Sequence, residues 1–262
     1  MKIKQVINFL EQYAPLEYQE NYDNCGLIIG NANAEIKSVL ITLDCIESVI
    51  DEAIETGCNL IVAHHPIIFS GLKKINGTNY IERTVIKAIK NDIAIYAIHT
   101  NLDNVYNGVS AKIADKLGIE NCKVLATKNE MENSSVGSGI LGTLKTPVSS
   151  ADFLKQLKSS MQTNCVRHTA LVKDEIKTVA VCGGSGSFLL NNAIVGQADI
   201  FITADFKYHE FFYAENQIII ADIGHYESEQ FTKDLIYDML TDNFTKFAVR
   251  LSKVNTNPIK YL

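Results

Sequence analysis

Asn59-Leu60-Ile61-Val62-Ala63-His64-His65-Pro66 is an apolar run that closes on two adjacent imidazoles. Each ring carries two nitrogens that need polar partners, so packing alone does not explain a pair of them where a buried strand ends. Two further runs end in the same manner. Ile93-Ala94-Ile95-Tyr96-Ala97-Ile98 leads into His99-Thr100-Asn101-Leu102-Asp103, and Ile218-Ile219-Ile220-Ala221-Asp222 leads into Gly224-His225-Tyr226-Glu227-Ser228-Glu229. In α/β sheets, ligands bind beyond the carboxyl ends of strands. Three such ends delivering imidazole and carboxylate groups predict one shared site, with a pair of divalent cations as its simplest occupant.

The surrounding sequence supplies the fold class. Runs rich in Val and Ile alternate with segments of helical period, the pattern of an α/β protein. Lys2 to Tyr13 carries apolar residues at 3, 6, 7 and 10, one stripe of a helix. Val39 to Leu43 reads as a strand ending at Asp44. Ser48 to Glu55 reads as a helix stopped by Gly57, Tyr80 to Lys90 as another, and Val109 to Leu117 as a third, stopped by Gly118. Residues 119–148 are richer in polar residues and glycine, with Asn129 to Ser135 especially turn-like, and read as a connection into a second lobe. Beyond it stand a helix capped at Ser149, strands at Thr178–Cys182, Ala198–Thr203 and 218–222, and a final helix from about Glu227 to Leu240. The expected lobes are 1–125, carrying His64, His65 and Asp103, and 126–262, carrying His225 and Glu229.

Composition narrows the function classes. The 262 residues carry a formal charge of −6, with 47% apolar and 21% charged residues and no block of like charge. That balance disfavours sequence-independent nucleic-acid binding, which needs a basic face. No apolar stretch is long enough to span a membrane, and Met1 to Val6 begins an amphipathic pattern rather than the core of an export signal. Cys25, Cys45, Cys58, Cys122, Cys165 and Cys182 include no C-x-x-C pair, so they read as reduced thiols of a cytoplasmic protein.

Neighbouring side chains on an extended strand point opposite ways, so His64 and His65 both reach one metal pair only if the backbone turns there. Pro66 favours such a non-helical turn. His225 and Glu229, four apart, share a face if a helix begins near 225. His99 reads equally as a partner behind the ligands, a substrate contact or a structural histidine. Asp205 and His209 follow a strand end and are pocket candidates, against helix-start capping by Asp205. Gly183-Gly184-Ser185-Gly186 lacks the G-K-[ST] ending of a phosphate loop and reads as a tight turn. His168, with Arg167 and Lys173, reads as solvated surface.

Taken together, Tyr22-Asp23-Asn24-Cys25-Gly26-Leu27, His64-His65-Pro66, His99 to Asp103, Cys182 to Gly186, Thr203 to His209 and Gly224 to Glu229 resemble the GTP cyclohydrolase I type 2 homolog family, the Nif-three-like dinuclear metal centre proteins. The resemblance spans nearly the whole chain in motif order. It implies two intertwined α/β lobes, each a mixed sheet flanked by helices, with the metal site at strand carboxyl ends between them. It further implies a toroidal homohexamer in the cytoplasm and two divalent ions per chain (zinc, iron, manganese or nickel). The implied ligands are His64, His65, Asp103, His225 and Glu229. Tyr22 stands where that pattern usually has Trp, and Ala204 where it usually has Gly.

The leading functional expectation is a metal-dependent hydrolase acting on a nucleotide or phosphoester-like substrate, with GTP ring opening implied by the family name. The alternative is a non-catalytic, metal-binding regulatory or scaffold protein with a protein or nucleic-acid partner. A plainer possibility is a set of pH-responsive structural histidines without metal.

Overall fold

The computed structural model describes residues 1–128 and 135–262. Most of the turn-like stretch expected at Asn129 to Ser135 therefore lies outside the described residues. The chain packs as two compact units. The first comprises Met1–Leu102 and Thr232–Pro258, the second Asp103–Phe231 and Ile259–Leu262. The division thus falls after Leu102, not near 125, and the chain re-enters the first unit at Thr232.

In the first unit, β1 (Gly26–Ile29), β2 (Ser38–Thr42), β3 (Leu60–Ala63) and β4 (Ala94–Ala97) join β11 (Ala248–Leu251) in the order β1-β4-β3-β2-β11. Strands β11, β2, β3 and β4 run parallel, while β1 is antiparallel to β4. Thr42 lies level with Ala63, and Ala63 with Ala97. Three carboxyl ends therefore open side by side. The parallel strands read as unbroken apolar runs because both faces are covered.

Helix α1 (Ile3–Tyr13) buries the anticipated stripe of Ile3, Val6, Ile7 and Leu10. Helix α2 (Glu47–Thr56) ends at Gly57 in the left-handed conformation, and α3 (Tyr80–Lys90) starts at Asn79, whose side chain accepts from the Glu82 backbone N–H. Val49, Ile50, Val85 and Ala88 of these helices pack against Leu40, Ile61 and Ile95 of the sheet.

The second unit begins with a one-turn helix, α4 (Thr100–Asp103), which straddles the division, and α5 (Val109–Leu117). Its sheet takes the order β5-β6-β8-β9-β10-β7 from β5 (Ile119–Thr127), β6 (Gly137–Ser149), β7 (Arg167–His168), β8 (Glu175–Ser185), β9 (Ile200–Ala204) and β10 (Ile219–Asp222). Strands β8, β9 and β10 are parallel; the others pair antiparallel. Both sheets are mixed, as the resemblance implies.

Within the stretch 119–148, residues 119–127 and 137–148 are therefore sheet rather than connection. Its glycines and its register shifts, between Glu120 and Lys123 and between Thr143 and Val148, blur the period-two pattern that marks a strand. Pairing of β5 with β6 is also what assigns residues 119–127 to the second unit.

The remaining helices are α6 (Ser150–Ser160), α7 (Leu190–Val195), α8 (His225–Glu229) and α9 (Thr232–Asn243). Ser149 caps α6 by accepting from the Asp152 N–H, as expected. The anticipated single helix from Glu227 to Leu240 is two. Phe231 is buried in the second unit, with the Lys116 ammonium 3.6 Å from its ring centroid, whereas Ile236 and Leu240 are buried in the first. The interruption at Gln230–Phe231 lets one apolar stripe serve two cores.

Strand β11 is fastened by Glu52 on α2, which accepts from Ser252 Oγ at 2.5 Å and from the Lys253 N–H at 2.9 Å. Glu52→Ala is expected to destabilise the first unit by about 1–2 kcal/mol, the worth of hydrogen bonds to a charged group, while Glu52→Gln recovers part of the loss. Urea unfolding of the two variants checks this.

Candidate metal centre

In the first unit the backbone bends immediately after β3, so His64 and His65 face a common side with ring centroids 4.9 Å apart. This is the turn that the His-His-Pro sequence requires. His99, just beyond β4, brings its ring 5.2 Å from each of the other two. One ligand atom from each of the three lies within 4.8 Å of the others.

What sits behind each ring fixes which nitrogen faces forward. His64 Nδ1 is 2.8 Å from the carbonyl oxygen of Ile98, His65 Nδ1 is 2.8 Å from Asp44 Oδ1, and His99 Nδ1 is 2.9 Å from Asp23 Oδ1. A carbonyl or carboxylate oxygen accepts, so each Nδ1 carries the proton and donates. Each Nε2 then keeps its lone pair for a ligand, the usual arrangement of metal-binding histidine.

The acids themselves are held. Asp44 also accepts from Thr256 Oγ1 at 2.6 Å. Asp23 accepts from the Thr100 backbone N–H at 3.0 Å, from Thr100 Oγ1 at 2.5 Å and from Cys25 Sγ at 3.1 Å. Burial opposes the Asp23 charge, but the His99 ring and these hydrogen bonds outweigh it and hold the carboxyl well below the usual range. Burial, together with the nearby Asp23 charge, pushes the Cys25 thiol up to about 12, so it remains a protonated donor.

In the second unit α8 begins at His225, so His225 and Glu229 share a face as their spacing anticipates. His225 Nε2 lies 3.1 Å from Glu229 Oε2, and Nδ1 lies 2.7 Å from Asp205 Oδ2. Asp205 reaches that position from the end of β9 with a left-handed backbone, φ 60°. It supports the His225 ring in the same way as Asp44 and Asp23 support theirs. Glu229 is 2% exposed. Asp103, at the end of α4, belongs to the same neighbourhood: its charge and that of Glu229 add to burial in driving the Cys182 thiol upward.

Gly184 explains the glycine-rich segment. It is the penultimate residue of strand β8 rather than part of a loop, with φ 62°, and a Cβ there would fall 2.2 Å from Glu229 Oε1. Its N–H donates to Ser228 Oγ at 2.9 Å and its carbonyl accepts from Thr203 Oγ1 at 3.0 Å. The backbone of Gly184 is thus one wall of the Glu229 carboxylate.

Arg167 is exposed, yet its guanidinium reaches inward. It pairs with buried Asp222, which also accepts from the Phe206 and Gly224 N–H groups at 2.9 and 3.1 Å, so one ion pair ties down the turns carrying Asp205 and His225. His168 is exposed, as expected. His209 lies against Tyr208 and Phe212 on a short 3-10 turn, and among the described residues it makes no hydrogen bond or ion pair with His225 or Glu229. Sequence reasoning gave no role to Asp23, Asp44 or Ser228. Asp44 closes a strand and Asp23 lies in the Tyr22–Leu27 motif, which was the available signal.

Each unit thus presents imidazole and carboxylate donors at the carboxyl ends of parallel strands, which defines an α/β protein with His and Glu groups that could hold metal ions. The chain belongs to the Duf34/NIF3 (NGG1p interacting factor 3) family, whose model matches residues 1–258. It is 32% identical to the GTP cyclohydrolase 1 type 2 homolog of Clostridium acetobutylicum, over 100% of this chain and 99% of that protein. It is 35% identical to the Clostridium perfringens homolog of the same name, over 87% of each. The crystal structure of a Bacillus cereus protein related to NIF3 matches with a TM-score of 0.91 and 25% identity, covering 100% of this chain and 99% of that one. No helix among the described residues is long and apolar enough to cross a membrane.

Burial disfavours a charge on His225, yet the Glu229 carboxylate and the Asp205 hydrogen bond prevail and raise the imidazole to about 11 in the metal-free protein. Its folded pKa exceeds the unfolded one, so this stabilisation is complete below about 6.5 and disappears as pH rises through about 11. NMR of the metal-free protein should show one imidazole protonated across neutral pH, and Asp205→Asn should lower its pKa. Gly184→Ala should cost about 1–3 kcal/mol through its left-handed backbone and the displaced Glu229 carboxylate, read by thermal unfolding.

Proposed function

We propose that the protein is a metal-dependent hydrolase of a nucleotide or phosphoester-like substrate, using two divalent ions per chain held by His64, His65, Asp103, His225 and Glu229. The observation that carries this reading is the repeated anchoring of Nδ1 by a fixed oxygen at His64, His65, His99 and His225. Anchoring of Nδ1 at four histidines, which aims each Nε2 away from the scaffold, supports metal binding over unrelated structural roles.

The donor chemistry fits hard-to-borderline divalent ions. Imidazole suits zinc, iron, manganese or nickel, and carboxylates add the negative charge that lets two cations lie close together. Such ions supply Lewis acidity that polarises a carbonyl or phosphoryl oxygen and lowers the pKa of water. The chain's own contribution is placement. Asp44, Asp23 and Asp205 orient the rings, Gly184 admits Glu229, and buried Glu229 and partly buried Asp103 keep negative charge where a cation neutralises it. His99 stands beside His64 and His65 with its proton held on Nδ1, in position to hold a reacting group through Nε2. The name carried by the Clostridium relatives favours a nucleotide among possible substrates. Within this reading the protein works in the cytoplasm as a homohexamer, as its family resemblance implies.

Protein purified without a His tag should contain about two metal equivalents per chain by elemental analysis. His65→Ala and Glu229→Gln should each lose metal together with hydrolysis of GTP and simple phosphoesters, by at least about tenfold. Undiminished turnover after complete chelation would rule the mechanism out. A metal-loaded protein inactive on a broad nucleotide and phosphoester screen would instead favour the binding or regulatory role.

A further inference from the structure

Two large aromatic rings stand beside the first-unit imidazoles. Tyr22 and Phe69 lie 14° from parallel with centroids 6.5 Å apart, and Phe69 meets His99 nearly edge-on at 5.6 Å and 75°. Tyr22 is 67% exposed and Phe69 47% exposed. Leaving two such rings in water forgoes burial of a large apolar area.

Their positions are nonetheless tightly specified. The Asn24 side chain donates to the carbonyl of Ile68 at 2.6 Å, tying the segment that carries Tyr22 to the one that carries Phe69. Asp23, adjacent to Tyr22, is locked to His99 and Thr100, and Phe69 follows His65-Pro66 by only a few residues. The backbone that anchors the imidazoles therefore also sets both rings, so their exposure is built in rather than a loose surface accident.

We propose that Tyr22 and Phe69 form the specificity platform of the site, on which the planar nitrogen heterocycle of the substrate, such as a purine, lies flat with its edge toward His64, His65 and His99. Two nearly parallel, stacked rings present flat faces of one orientation, which suit a rigid aromatic ring better than an aliphatic group. Heterocycles stack on such rings through their π-faces while their edges stay available for polar groups. The proposal deepens the hydrolase reading and rests on it, because it names the substrate feature that the same site recognises.

The chain contains no tryptophan, so Tyr22→Trp installs a single fluorescent reporter in the platform itself. In the metal-loaded variant, GMP should quench that emission saturably, whereas ribose 5-phosphate, which has the sugar phosphate but no ring, should leave it unchanged. Adding Phe69→Leu should weaken GMP binding about tenfold with the melting temperature maintained. Phe69→Trp provides the second reporter if Tyr22→Trp fails to fold. Equal quenching by ribose 5-phosphate, quenching by GMP that never saturates, or unchanged affinity in Phe69→Leu overturns the platform.

Metal content and hydrolysis measured on the same samples keep the two readings separate. Bound metal with phosphoester turnover but no ring-dependent quenching removes the platform alone. Saturable GMP binding by a protein that holds no metal removes the metal-dependent hydrolase and leaves the platform standing.

Discussion

An imidazole has two nitrogens, and the organisation of this protein follows from committing one of them to the scaffold. Ile98, Asp44, Asp23 and Asp205 each supply an oxygen that holds an Nδ1 proton, and each oxygen is itself placed by a strand end. Level strand ends are what make this possible. Because β2, β3 and β4 run parallel in register, the carbonyl after β4 and the acid after β2 fall on either side of the imidazoles after β3. Strands β8, β9 and β10 repeat the arrangement for Gly184, Asp205 and His225. Parallel strands are demanding to build, needing crossovers and cover on both faces. Alignment of their carboxyl ends is what that construction provides.

Electrostatics explains why the supports are mostly acids rather than amides. An ionised carboxylate behind an imidazole makes a stronger hydrogen bond and raises ring basicity, which strengthens the ring as a ligand. Such acids then need stabilisation of their own. Asp23 finds it in Thr100 and Cys25, Asp44 in Thr256, and Asp222 in Arg167. Each of these three acids has a donor a short distance away, which offsets the cost of removing its charge from water.

Much of this was readable from the residues, and the failures have physical causes. The parallel strands and the amphipathic helices declare themselves because their apolar runs and stripes are long and uninterrupted. The His-His-Pro turn and the His225–Glu229 helix were visible because their chemistry is local. Asp23 and Asp44 were not assigned, since an acid behind a ligand looks in sequence like any other acid, and its ring lies 76 or 21 positions away. Strands β5 and β6 were missed because bulges and glycines break their alternation. Helices α8 and α9 merged because helical periodicity does not report which core a stripe enters. The Arg167–Asp222 ion pair was not legible because only the folded sheet brings Asp222 beside the exposed Arg167.

The return of the chain to the first unit has a consequence for synthesis. Strand β2 acquires its outer neighbour from residues 248–251, so the chain must be made as far as Leu251 before that sheet is complete. A nascent chain, emerging from its amino end, holds a strand with Val39, Leu40 and Ile41 at its centre and one open edge while the second unit is still being translated. Ordering of that edge therefore waits until β11 has emerged. The ribosome's pace and any chaperone that shields an open strand become part of how this sheet is obtained. A chain cut short before Ala248 leaves the edge bare.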